Sequence, residues 1–80
     1  MKIQLLPFGI ARDIMGSPCP AVEVPESATV KDLKALLYAT YPRFQGLTHL
    51  FIAVNAQYAN DDVTLSANDE IALIPPVSGG

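Results

Sequence analysis

The residues of this 80-residue chain with the clearest reactive prospect are its last six, Pro75-Pro76-Val77-Ser78-Gly79-Gly80. An α-carboxylate on Gly80 is a poor electrophile, because its leaving group would be oxide. Acyl chemistry there requires ATP to convert the carboxylate into an acyl adenylate, after which a sulfur nucleophile can displace AMP. Such a step needs the terminus to enter another protein's active site. Glycines permit the close approach and unusual backbone angles that a Cβ forbids, and the two prolines stiffen the exit. Fully extended, Val77 to Gly80 reaches at most about 14 Å, enough to thread a narrow channel while a folded body docks outside. In this reading Val77, Ser78 and Gly79 thread the channel and Gly80 carries the reacting carbon. The plainer reading is a frayed terminus or a residual linker.

Side-chain chemistry is harder to assemble. The single histidine, His49, has no nucleophile or acid beside it in sequence and reads as a polar turn residue ahead of an apolar run. Asp61-Asp62 is an adjacent carboxylate pair without further ligands, which describes a solvated turn better than a cation site. Cys19 lies in Ser17-Pro18-Cys19-Pro20 with no second cysteine in the chain, so neither a disulfide nor a metal site is expected. Phosphate binding has no support either, because no glycine-rich loop leads into a helix with a lysine.

The elements that must position the tail have to come from one small domain. At this length about 60–65% of the unfolded surface can be buried, so apolar packing carries the fold. Half of the residues are hydrophobic and the net charge is −3. With only five Lys and Arg, scattered along the chain, nucleic acid is an unfavourable partner. The first eight residues hold one basic residue and an apolar stretch broken by Pro7, too short for a signal segment or a membrane span. The expectation is a soluble, cytoplasmic protein.

Polar and apolar residues alternate at the start of segment 2–8, as in a half-buried strand ended by Gly9. Segment 10–15 offers one or two helical turns stopped by Gly16, and 21–24 a second strand before Pro25. The main helix is predicted to start after Thr29, with Asp32 three residues on as a capping acid. Val30, Leu33, Leu36, Leu37 and Tyr41 form its apolar stripe, and Pro42 closes it. Segment 50–55 reads as a buried central strand, 57–59 as a brief edge strand, 66–69 as a turn and 70–74 as a last strand ended by Pro75 and Pro76. One helix over one face of a mixed sheet buries both the stripe and the strands. This is an α+β domain of β-grasp plan spanning 1–76, with 77–80 as a flexible tail.

The chain also resembles, almost end to end, the small sulfur-carrying subunits of molybdopterin synthase, which are ubiquitin-like. Phe8-Gly9, Arg12-Asp13 and Gly16 are similar to that family's first-strand exit, and Pro25-Glu26, Ala28-Thr29-Val30 and Asp32-Leu33 to its helix start. Ala53-Val54-Asn55, Asp69-Glu70-Ile71-Ala72 and the ending Pro75-Pro76-Val77-Ser78-Gly79-Gly80 complete the likeness, and the ending is its most specific part. The resemblance implies that Gly80 is adenylated by an ATP-dependent activating enzyme, an adenylyltransferase related to ubiquitin activators. Conversion to a thiocarboxylate follows, and the terminus then donates sulfur to cyclic pyranopterin monophosphate inside the large subunit of molybdopterin synthase. Two such rounds produce the dithiolene of molybdopterin. The family assembles as two small and two large subunits. The large subunit then supplies the catalytic side chains, and this chain binds no cofactor or metal of its own. The chain departs from the family where Asn68 replaces the usual glycine before Asp69-Glu70, a position where Asn also tolerates the left-handed conformation.

Rival readings share the fold. A thiamine-pathway sulfur carrier has the same Gly-Gly end but is usually shorter and lacks the Pro-Pro step. A protein-conjugating modifier would join its terminus to lysines. In a noncovalent β-grasp adaptor the tail would be dispensable. Candidates for a partner-docking patch are Phe8, Tyr58, Pro75, Pro76 and Val77, with Phe8 and Tyr58 as core residues the alternative.

Overall fold

In the computed structural model, residues 1–47 and 49–76 are described, and Thr48 and residues 77–80 lie outside them. Five strands and two α-helices follow one another as β1 (Lys2–Pro7), α1 (Ile10–Met15), β2 (Ala21–Glu23), α2 (Val30–Thr40), β3 (Phe51–Val54), β4 (Gln57–Tyr58) and β5 (Ile71–Ile74). A 3-10 helix, Pro42–Gly46, joins α2 to β3. The strands form one mixed sheet in the order β2-β1-β5-β3-β4, with β1 and β5 parallel and the other pairings antiparallel. This is the β-grasp architecture.

The main helix forms where its cap and stripe place it. Thr29 Oγ1 accepts from the Asp32 amide at 3.3 Å while Asp32 Oδ2 accepts from the Thr29 amide at 2.9 Å, a reciprocal capping box that satisfies two otherwise orphaned donors. Val30, Leu33 and Leu37 then point into the core, where they meet Ile3 and Leu5 of β1, Ile52 of β3, and Ile71 and Leu73 of β5. Leu36 and Tyr41 pack at the margin of the same cluster. Burial at alternate positions fixes the strand register, since a slip by one residue would exchange the two faces of the sheet.

Two expectations are corrected, and one segment that the sequence reading leaves unassigned has regular structure. The central strand is β5, not the 50–55 run, and β3 lies between β5 and the edge strand β4. β5 holds the middle because it pairs on both sides, parallel to β1 and antiparallel to β3. The connector after α2 is structured as a 3-10 helix, and its Phe44 is fully buried in the core. Asn68 is not left-handed; among the described residues the positive φ angles outside glycine belong to Ser27, Asn55 and Ala56. The 66–69 turn is closed instead by Asp69 Oδ2, which accepts from the Ser66 amide at 2.8 Å.

Candidate docking face and tail root

One helix cannot cover both faces of a five-stranded sheet, so the face away from α2 is left open. Strand register shows what lies there. Leu6 of β1 sits beside Ala72 of β5, Ile74 of β5 is opposite Phe51 of β3, and Ala53 of β3 is opposite both Ala72 and Tyr58 of β4. Phe8 continues the β1 alternation on this side just past the strand end, and its amide donates to the Leu73 carbonyl at 3.0 Å. Side chains on the uncovered face of an antiparallel or mixed sheet are ordinarily polar. Lys2, Gln4 and Glu23 keep to that rule on the β2 side of the face, but from Leu6 to β4 its side chains are apolar and several are prominent: Tyr58 is 73%, Phe8 53% and Phe51 46% exposed. Phe51 and Tyr58 meet edge to face with ring centroids 5.9 Å apart, and the tilted ring of His49 lies 6.0 Å from that of Phe51. The result is an apolar plateau across β1, β5, β3 and β4.

The plateau adjoins the place where the chain leaves the sheet. β1 and β5 run in the same direction, so the end of β1 (Pro7 and Phe8) and the end of β5 (Ile74 and Pro75) lie side by side. Phe51, at the start of the antiparallel β3, is at that same end. Gly9 adopts φ 53° and ψ −131° and faces the ring of Pro75. Pro75 and Pro76 are half-buried.

Four of the expected site residues, Val77, Ser78, Gly79 and Gly80, lie outside the described residues. Phe8 and Tyr58 are brought onto one exposed face, which rules out the core alternative for both. Sequence reading missed Leu6, Phe51, Ala72 and Ile74 as members of the plateau. Their signal was partial: β3 and β5 carry apolar residues at alternate positions too, but β1 carries Lys2 and Gln4 there, so only the register groups the apolar ones. Elsewhere the side chains with titratable groups have surface roles. Lys34 Nζ bonds Asp61 Oδ1 at 2.9 Å, and Cys19 is exposed. Among the described residues no group of three or more His, Cys, Asp or Glu could hold a metal ion, and no helix is long and apolar enough to cross a membrane.

Comparison with known proteins addresses the same features. The ThiS family matches residues 6–80. The chain belongs to the ThiS family. A relative of this family member, the molybdopterin synthase sulfur carrier subunit of Caenorhabditis elegans, is 34% identical, with 100% of this chain and 99% of the relative covered. Among solved structures, SAMP1 from Haloferax volcanii superposes with a TM-score of 0.81 at 28% identity, covering 100% of both chains. A complex of subunits 1 and 2 of molybdopterin-converting factor from Helicobacter pylori contains a chain matched with a TM-score of 0.68 at 27% identity, again covering 100% of both. The ThiS-family fold and the likeness therefore extend over the whole length described.

Proposed function

We propose that this chain is the sulfur carrier subunit of a molybdopterin synthase. The observation that carries the reading is full-length similarity to a sulfur carrier subunit of that enzyme, together with an apolar sheet face at the root of a Gly-Gly ending. In this reading the Gly80 carboxylate attacks the α-phosphorus of ATP in the activating enzyme and expels pyrophosphate. Sulfur at the oxidation level of hydrosulfide then attacks the acyl carbon, expelling AMP and losing a proton to leave a thiocarboxylate. The large subunit takes the thiolated end and supplies the catalytic side chains, and the sulfur passes to cyclic pyranopterin monophosphate. Our chain contributes the activated acyl group and a docking face; ATP is consumed by the activating enzyme, and the reaction belongs in the cytoplasm.

The plateau supports this division of labour. Phe8, Phe51, Ile74 and Tyr58 offer an apolar surface at the end of the sheet from which the chain continues to Gly80. A partner seated there has the terminus within about 14 Å of the body. The large subunit is the partner we assign, in keeping with the two-subunit assembly of the Helicobacter pylori relative.

Removing Gly80 is the direct test. The truncated chain should retain the thermal unfolding of the full chain, since Gly80 has no side chain and the core is built from residues between Ile3 and Leu73, and should lose sulfur transfer in a reconstituted synthase. Normal molybdopterin formation by the truncated chain would overturn the proposal. A second reading has its own observation, the similarity to SAMP1 of Haloferax volcanii, which another structure names small archaeal modifier protein 1. It is distinguished by its products: a modifier would form isopeptide adducts with lysines of many proteins, whereas a carrier ends as a thiocarboxylate.

A further inference from the structure

The turn between β1 and α1 lies at the root of the tail, and its geometry depends on one residue. Phe8 O accepts from the Ala11 amide at 3.0 Å, closing a four-residue turn, and Gly9 O accepts from the Arg12 amide at 3.1 Å. Gly9, at φ 53° and ψ −131°, occupies the first central position of that turn with the angles of a type II′ turn, a conformation that glycine takes freely and L-residues resist. No side chain caps α1 here, so the turn itself starts the helix. A Cβ on Gly9 would meet Pro75 Cγ at 3.6 Å, an ordinary contact. The obstacle to a side chain is therefore conformational rather than steric, and Pro75 is the neighbour that the Gly9 turn faces.

Pro75 needs such a stop. Phe8 N to Leu73 O is the last rung between β1 and the end of β5, and neither Pro75 nor Pro76 has an N–H with which to continue pairing. Packing has to place them. We propose that Gly9 is a positioning residue for the carrier terminus: its turn holds Pro75, and so sets how the chain leaves the body toward Gly80. The role in turnover rests on the carrier reading above; the contact itself does not.

Gly9→Ala tests it. An L-residue forces the turn to change type, which breaks the Ala11 amide to Phe8 carbonyl bond and shifts the turn away from Pro75. With the activating enzyme and ATP, KM for the carrier should rise roughly ten- to a hundredfold while kcat changes by less than about twofold. Gly9→Ala and Pro75→Ala should be non-additive in KM, because one acts through the other. By NMR, the nuclear Overhauser contacts between residues 9 and 75 should weaken while the amide shifts of α2 stay in place. A folded Gly9→Ala protein with wild-type KM, additive behaviour with Pro75→Ala, or intact contacts between residues 9 and 75 would overturn the proposal. A wild-type chain that is never adenylated would instead defeat the carrier reading, and the NMR contacts would then decide the positioning role alone.

Discussion

The two faces of the sheet are made from the same strands and nearly the same residue types, yet they serve different ends. On one, Ile3, Leu5, Ile52, Ile71 and Leu73 are closed off by α2. On the other, Leu6, Ala72, Ile74, Phe51 and Tyr58 have no covering element among the described residues. A protein that needed only to fold would place polar side chains there, since water is the neighbour and apolar exposure gains nothing. The difference teaches that burial stabilises this domain on one side and is held in reserve for association on the other.

The covered face gives the largest expected effect. Leu33→Ala removes a fully buried side chain from the contact between α2 and the sheet and should cost about 2–5 kcal/mol in chemical denaturation. Partner affinity measured below the unfolding transition should hardly change. A loss of less than about 1 kcal/mol would mean that the helix covers the sheet loosely. On the open face the pattern should reverse. Tyr58→Asp places a charge on the plateau and should weaken binding of the large subunit by about 2 kcal/mol or more, with stability altered by no more than about 0.5 kcal/mol. Unchanged affinity would remove Tyr58 from the docking face, and a large loss of stability would make it structural.

The smallest effect concerns the hairpin that carries Tyr58. Asn55 and Ala56 turn at φ 53° and 70°. Asn55 suits the left-handed region and is held there by its Oδ1, which accepts from the Glu70 amide at 2.9 Å. Ala56 is strained in it. Ala56→Gly should therefore stabilise the domain by about 0.5–1 kcal/mol, the relief of strain being partly offset by glycine's greater freedom when unfolded. Destabilisation in a melt would show that the turn is not strained.

How much was legible in the sequence follows the same division. Thr29, Asp32 and the stripe from Val30 to Leu37 announced the helix, because capping and periodicity are local signals. The paired prolines announced the end of β5. The 50–55 run misled, because a strand apolar on both faces reads as central whether its second face meets a helix, a partner or water. Phe44 was hidden in a 3-10 helix too short to show a period, and the Gly9 turn depends on angles that sequence does not display. Of the expected site, the docking residues Phe8 and Tyr58 were found as isolated aromatics. Leu6, Phe51, Ala72 and Ile74 became recognisable only when the register placed them on one face.

The central claim is that Gly80 carries sulfur, and intact mass spectrometry reads it most directly. The chain would be incubated with its activating enzyme, ATP and a sulfur donor, and fragmented to locate any change. The account predicts a gain equal to the replacement of one oxygen by sulfur, confined to the C-terminal residue. An unmodified terminus, with the activating enzyme shown to be active on another carrier, would contradict it.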